Sequence, residues 1–176
     1  MQPIFPTHLV VRHSTADFAN EILDADKVLN AFFVGCHKAG PTLCAFYANS
    51  SAAIAHKLDV LYQKVLAQPI SAYSPDLPRY GFVDHSTLKN AILSSFYQPY
   101  GMFSTLAQGL ALLEKGDGSI VYQLSLPRVA ESVLAVVCGD AVKVTDDAAQ
   151  LKRYVNSIDK LSSFSSLVAS VKLACS

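Results

Sequence analysis

The chain shows its clearest helical period in the stretch Asp24-Ala-Asp-Lys-Val-Leu-Asn-Ala-Phe-Phe-Val-Gly-Cys36. Apolar side chains recur there every three or four residues, which places them on one face of an α-helix. They are Val28, Leu29, Phe32, Phe33 and Cys36. Gly40-Pro41 follows and predicts the end of the helix, because glycine tolerates the left-handed backbone and proline cannot continue the hydrogen-bond ladder.

Three further helices are predicted downstream. The second runs from about Ser50 to Ala67, with Ser50 or Ser51 as its N-cap. Its apolar stripe is Ile54, Leu58, Leu61 and Val65. The third starts at Asp84 or Ser86, carries Leu88, Ile92 and Phe96, and ends at Pro99. The fourth carries Phe103, Leu106, Leu110 and Leu113, and ends at Gly116-Asp117-Gly118.

Two segments between or after these helices read differently. Ser71–Asp84 contains Pro75, Pro78 and Gly81 and is predicted to be a loop. Ser132–Cys138 is a continuous apolar run that fits either a buried strand or a buried helical segment.

The C-terminal part returns to the helical period. Thr145 with Asp146-Asp147 predicts a helix start, and the stripe then runs through Leu151, Val155 and Ile158. A last short helix carries Phe164, Leu167, Val168 and Val171. We therefore expect a mainly α fold with at most one or two short strands. Residues 1–23 are expected to be irregular and residues 24–176 to form a single helical domain.

Composition narrows the classes of function. The chain is 51% hydrophobic and only 16% charged, against about 25% charged residues in a typical domain. Part of its surface is therefore expected to be covered, by another chain or a second copy, by a missing part of the same chain, or by a membrane. A formal net charge of zero without a basic cluster argues against nucleic-acid binding. The charge-free stretch Asn90–Leu113 is divided by Pro99-Tyr100-Gly101, so no membrane span is expected.

The residues of a catalytic site are not recognisable. None of the eight glycines is followed two positions later by serine, so the chain lacks the nucleophile elbow of an α/β-hydrolase. The five histidines have no metal-ligand spacing, and we expect no metal and no cofactor. No signal peptide is visible in the first residues, which leaves the localisation open.

The four cysteines leave two readings open. Cys36 and Cys44 lie on either side of Gly40-Pro41, at a spacing that a helix–turn–helix can bridge, whereas Cys138 and Cys175 are far apart in sequence. In a reducing compartment all four would be buried thiols.

Five motifs in order resemble the cap region of a known enzyme family. They are Asp24 to Phe46 with Cys36 and Cys44 around Ala-Gly-Pro, Tyr80-Gly-Phe-Val-Asp-His85, Phe96 to Asp117, Leu134-Ala-Val-Val-Cys-Gly-Asp140, and Lys172-Leu-Ala-Cys175. Together they look like the tripeptidyl-aminopeptidase-like serine peptidases of the α/β-hydrolase superfamily, especially the fungal members.

The resemblance implies a helical cap, or lid, of an enzyme that hydrolyses peptide or amide bonds near a free N-terminus. It implies the disulfides Cys36–Cys44 and Cys138–Cys175, and a family whose members are often secreted. In that family the nucleophilic serine precedes the cap and the aspartate and histidine follow it, so we expect no triad residue in this chain and no activity of the chain alone.

The same resemblance suggests which side chains line a substrate site. The aromatic residues near Pro99 are Phe96, Tyr97, Tyr100 and Phe103, and the carboxylate of Asp140 could meet a substrate ammonium group. Ordinary core packing of the aromatics and a turn role for Asp140 are the simpler alternatives. The competing functional hypothesis is a non-enzymatic helical module that binds a protein partner or itself.

Overall fold

The computed structural model describes residues 22–74, 79–125, 135, 138, 139 and 147–174. These residues contain seven helices and one β-hairpin, so the predicted mainly α fold is confirmed. The helices are α1 (Ala25–Leu43), α2 (Ser51–Ala67), α3 (His85–Ser95), α4 (Pro99–Glu114), α5 (Ser119–Ser125), α6 (Ala148–Ile158) and α7 (Ser165–Ala174). The strands are β1 (Ile70–Ser74) and β2 (Arg79–Val83).

The chain divides into two compact units. Asp24–Leu126 form the first, which holds α1 to α5 and the hairpin. The helices α6 and α7 belong to the second.

The first helix bends where the sequence predicted that it would end. Gly40 has φ 76° and ψ 176°, outside the helical region, and Pro41 follows it. One more turn then reaches Leu43, and the Cys44 N–H donates to the Gly40 carbonyl at 3.0 Å. Glycine is required at this position because the left-handed backbone brings a Cβ atom too close to the carbonyl oxygen in other residues.

The second helix has the predicted stripe and cap. Ile54, Leu58, Leu61 and Val65 are all buried. The Ser50 hydroxyl accepts a hydrogen bond from the Ala53 N–H at 3.0 Å, which satisfies one of the free donors of the first turn. Near the other end, Lys64 Nζ donates to the Glu114 carbonyl at 2.8 Å and satisfies an acceptor at the end of α4.

The predicted loop from Ser71 to Asp84 is wrong, because most of it forms the antiparallel hairpin. Ile70 pairs with Val83 and Ala72 with Gly81, and these residues form its inner face. The sequence lacks a clear alternation of apolar and polar residues here, because two of these four inward positions are Ala and Gly. Pro75 and Pro78 fall between the strands in sequence and lie outside the described residues.

The third and fourth helices follow the sequence closely. Asp84 is the N-cap of α3, and its carboxylate accepts from the Thr87 N–H at 2.7 Å. Pro99 is the first residue of α4, where its missing N–H and fixed φ are tolerated. One proline thus separates two helices, and the predicted Phe96 is the C-cap of α3.

The fifth helix was not predicted, although it packs against α3, α4 and both strands. It is only seven residues long, too short to display a 3.6-residue period. Asp117 precedes it and accepts from both the N–H and the hydroxyl of Ser119. Its Val121 is fully buried. An Asp-x-Ser turn after a glycine was the available signal, and it was interpreted only as the end of α4.

The helix α6 begins at a capping box, as the acidic pair in the sequence indicated. The Asp147 carboxylate accepts from the Gln150 N–H at 2.7 Å, and the Gln150 side chain accepts from the Asp147 N–H at 2.6 Å. Thr145 and Asp146 lie outside the described residues, as does most of the apolar run Ser132–Cys138. Within the same unit, Lys172 of α7 lies over the Tyr154 ring of α6, 4.0 Å from its centroid.

Two glycines of α4 test the packing of α5. A Cβ atom at Gly109 would lie 2.9 Å from Ile120 Cγ2 and 3.3 Å from Val121 Cγ2, whereas one at Gly101 would meet nothing within 4 Å. We expect Gly109→Ala to lower the free energy of unfolding by about 1–3 kcal/mol through overpacking. Gly101→Ala, the matched control in the same helix, should leave it unchanged or raise it by up to about 1 kcal/mol. Urea denaturation measures both; equal effects would contradict this packing.

Asp84 gives a prediction for acid pH. Partial burial raises the pKa of its carboxyl, but hydrogen bonds from Thr87 and Ser86 outweigh it and hold the pKa below the ordinary 3.8. Because the folded pKa is depressed, the stabilisation is present above the unfolded pKa and is lost as the pH falls through the folded value. Asp84→Ala should lower the free energy of unfolding by about 1 kcal/mol at pH 7.

Asp84→Asn is the control, since it keeps an acceptor at the cap but has no titrating group. It should stay close to the wild type at pH 7 and lose less stability than the wild type between pH 4 and pH 2, as followed by denaturation at each pH. An equally steep acid decline in the Asn variant would show that Asp84 is not responsible.

Candidate ligand-binding groove

An open groove of about 780 Å³ lies between α1 and α4. Three small residues of α1, Ala31, Gly35 and Ala39, contribute to it. They are four positions apart and therefore share one face of the helix. Because these side chains are short, they leave open space along this face of α1, and a Cβ atom at Gly35 would meet nothing within 4 Å. The groove exists because this face of α1 has little side-chain volume.

The α4 side of the groove is aromatic. Tyr100 and Phe103 both line it. Phe103 packs edge-on against Phe32 of α1, with ring centroids 5.3 Å apart, and against Phe96 at 6.5 Å. Tyr100, in contrast, is fully exposed to solvent. Phe103 is thus fixed by its neighbours, and Tyr100 offers a free aromatic surface.

One end of the groove is closed by a disulfide. Cys36 and Cys44 are bonded, with their Cα atoms 5.3 Å apart, and both line the groove. The bond joins Cys36, in the part of α1 before the bend at Gly40, to Cys44, which follows the last residue of α1. Leu43, between the bend and Cys44, lines the groove and is 77% exposed. The disulfide implied by the family resemblance is therefore present, and it fixes the position of this end.

The loop after the disulfide is held in place by contacts with α1 and α2. Phe46 is completely buried, and Lys57 of α2 lies over its ring at 4.2 Å from the centroid. Lys57 also pairs with Glu114 of α4 at 3.1 Å. The Ala48 carbonyl is 3.3 Å from His37 Nδ1. The loop therefore has a defined conformation beside the groove.

The other end carries a compensated ion pair. Lys27 Nζ donates to the Asp24 carboxylate at 2.6 Å, and both residues line the groove. The hydrogen bond to Asp24, and then the charge of Asp24, raise the pKa of Lys27. Since both side chains are largely exposed, the pair contributes little to stability. The rest of the lining is apolar or aromatic apart from Ser104.

No catalytic constellation lies within the described part of the chain. His37 stacks on Tyr47, with ring centroids 6.0 Å apart. His85 packs on the Tyr62 ring at 5.3 Å, and burial and the charge of Lys89 lower its pKa. None of the described histidines, His37, His56 and His85, is hydrogen-bonded to a hydroxyl or carboxylate side chain. The same residues contain no cluster of three His, Cys, Asp or Glu suited to a metal ion.

In the Asp24–Leu126 unit, Tyr62 is the titratable residue whose pKa is shifted most. Its hydroxyl is buried and has no hydrogen-bond partner among the described residues. Burial, together with the charges of Asp59 and Asp26, raises its pKa strongly. The group therefore stays protonated at physiological pH and cannot act as a base. Sequence reasoning passed over Tyr62, although it lies four positions after the buried Leu58 and therefore on nearly the same face of α2.

The predicted site residues have different positions. Tyr100 and Phe103 line the groove, and Phe96 packs behind Phe103. Tyr97 is 84% exposed and is not part of the lining. Asp140 and Cys175 lie outside the described residues. Cys138 is disulfide-bonded.

Sequence reasoning missed the small residues Ala31, Gly35 and Ala39. Alanine is the strongest helix former and carries no chemistry, so the available signal was the four-residue spacing of three small side chains along one flank of the apolar stripe.

Comparison of the chain with known proteins identifies no relative. No protein-family model, no curated protein and no solved structure matches the chain. Within the described ranges, no helix is long and apolar enough to span a membrane.

The disulfide yields a prediction about the end of the groove. Cys36→Ser combined with Cys44→Ser should lower the free energy of unfolding by roughly 2–3 kcal/mol, because a short closed loop is released in the unfolded chain. Amide hydrogen exchange should accelerate at residues 41–48 and change little in α3. The double variant is preferable to a reductant, because a reductant would also reach the disulfide of Cys138. Unchanged exchange at residues 41–48 would show that the loop is held without the bond.

Proposed function

We propose that this chain provides the helical lid of an α/β-hydrolase that acts on peptides or amides near a free N-terminus. Its part is to bind the substrate and exclude water, while another part of the enzyme supplies the nucleophile, the base and the orienting carboxylate. The ordered motifs from Asp24 to Cys175 support the enzyme class. The groove between α1 and α4 supports the role of a binding element.

The observation that carries the proposal is a largely apolar, aromatic groove beside which the described residues form no catalytic constellation. A volume of about 780 Å³ lies within the range of small-molecule and peptide-side-chain pockets, about 300–1,000 Å³. The groove is lined mainly by apolar and aromatic groups, with Ser104 and one neutralised ion pair as its polar groups. Such a surface can bind and desolvate a substrate, but it offers no nucleophile with an adjacent base.

The shape of the groove favours an extended, apolar ligand. The short side chains of Ala31, Gly35 and Ala39 let a ligand approach the α1 backbone closely. The ring of Tyr100 can cover the ligand from the α4 side. A short peptide with small or aromatic side chains fits this chemistry, because aromatic packing and apolar burial then provide the affinity.

A second function is supported by a different surface. The outer face of the hairpin exposes Tyr80 (83%), Phe82 (57%) and Tyr73 (42%). Tyr73 and Tyr80 form a cross-strand pair with ring centroids 4.7 Å apart. Exposed aromatic clusters are typical of protein interfaces. Under this alternative the chain is a non-enzymatic module that associates through the hairpin.

The peptide-binding proposal is tested with a fluorescently labelled Ala-Ala-Phe tripeptide amide, whose binding is followed by anisotropy. Gly35→Leu places a large side chain in the groove at a position where a Cβ atom meets nothing within 4 Å. It should weaken binding at least about tenfold, the equivalent of 1.4 kcal/mol. Gly101→Leu, at an equally open helical position outside the lining, is the matched control and should bind as the wild type does.

Hydrolysis is measured in parallel with a tripeptidyl chromogenic substrate. The purified chain should show no turnover that a serine-directed inhibitor blocks; such turnover would refute the missing-triad expectation. Equal peptide binding by both leucine variants would refute the groove. The alternative is tested by measuring the oligomeric state in sedimentation experiments. If the chain is a dimer, and if Tyr80→Ser makes it a monomer while Gly35→Leu leaves it a dimer, the interaction module is favoured.

A further inference from the structure

We propose that Asn49 is an N-glycosylation site, a role that does not depend on the function of the groove. The chain has five asparagines, at positions 20, 30, 49, 90 and 156. Only Asn49, in Asn49-Ser50-Ser51, is followed two positions later by a hydroxyl residue, with a residue other than proline between them. This is the acceptor pattern for transfer of an oligosaccharide to asparagine.

The position of Asn49 leaves room for a glycan. Asn49 is exposed and lies in the loop between α1 and α2. Its side chain makes no hydrogen bond with any described residue, so attachment of a sugar breaks no contact of this part of the fold. The loop is held through other groups, namely the buried Phe46 ring and the Ala48 carbonyl.

The local backbone also suits the acceptor pattern. Ser50 has φ −156° and ψ 160°, an extended conformation, and α2 begins only at Ser51. Ser50 is the helix N-cap, so its hydroxyl already has a structural task in accepting from Ala53. The hydroxyl at Ser51, by contrast, is the one that the transferase recognises. The two serines can therefore be separated by mutation.

The disulfides point to the compartment in which this modification takes place. Cys36–Cys44 is formed, and Cys138 is also disulfide-bonded. Disulfides form and persist in oxidising environments such as the lumen of the endoplasmic reticulum. N-glycosylation belongs to the same secreted class of proteins. The acceptor pattern and the bonded cysteines thus agree on the secretory route.

The reaction uses a polyisoprenyl-pyrophosphate-linked oligosaccharide as its second substrate. The Asn49 Nδ2 atom attacks the sugar C1 atom, and the C1–oxygen bond to the pyrophosphate breaks. The amide nitrogen loses one proton, and the lipid pyrophosphate leaves with the bonding electrons. Asn49 is not among the residues that line the groove, so attachment of the glycan replaces none of its lining groups.

The test expresses the full chain in yeast behind a secretory leader and treats it with a glycan-releasing amidase in ¹⁸O water. The amidase converts a glycosylated asparagine to ¹⁸O-labelled aspartate, and mass spectrometry of the peptide locates it. We expect the label at Asn49, and a shift in gel mobility that is lost in both Asn49→Gln and Ser51→Ala.

Ser50→Ala is the matched control, because it removes the cap but keeps the acceptor pattern and should stay glycosylated. Ser51→Thr should be glycosylated at least as fully as the wild type. A secreted, folded wild-type chain with an unmodified Asn49 would overturn the proposal. So would a mobility shift that survives in Asn49→Gln and Ser51→Ala, because the carbohydrate would then lie elsewhere.

Discussion

The architecture of the Asp24–Leu126 unit depends on the close approach of the short helix α5 to its neighbours. Three glycines make this approach possible. At Gly109 of α4 a side chain would meet Ile120 and Val121, and at Gly118 it would meet Val83 and Ala72. At Gly81 of β2 it would overlap the Tyr122 ring. Because packed interiors leave no spare volume, α5 can lie against both α4 and the hairpin only where these Cβ atoms are absent.

The groove follows from this arrangement. Positions 106, 107, 109, 110 and 113 of α4 are buried, and Gly109 faces α5. The face that carries Tyr100, Phe103 and Ser104 is rotated away and lies along α1 instead, with the buried Ala107 at its edge. There the small residues of α1 leave space. The Cys36–Cys44 disulfide, which spans the bend at Gly40, lies at one end of this space. The same packing that buries one side of α4 thus leaves the other side along an open groove.

The described surface combines unpaired apolar area with few polar clusters. His37 and His85 pack on tyrosine rings, and the buried Tyr62 hydroxyl stays protonated. Apolar surface remains along the groove and on the outer face of the hairpin. This distribution agrees with the low charge content of the sequence, and it explains why enclosure of a substrate and association with a partner are the two functions that merit experiments.

The sequence by itself determined the long helices and their ends, because these depend on local physics. Apolar periodicity placed α1 to α4, and Ser50, Asp84 and Pro99 mark helix starts through hydrogen bonds and dihedral limits within one turn. Tertiary structure alone decided the hairpin and α5, whose short segments are stabilised by contacts with residues distant in the chain. It also decided the groove, since Ala31, Gly35 and Ala39 become a surface only when Tyr100 and Phe103 lie opposite them. A small residue in the sequence does not reveal whether the space beside it is occupied. Only the packing of the neighbouring helices decides whether that space is filled or stays open.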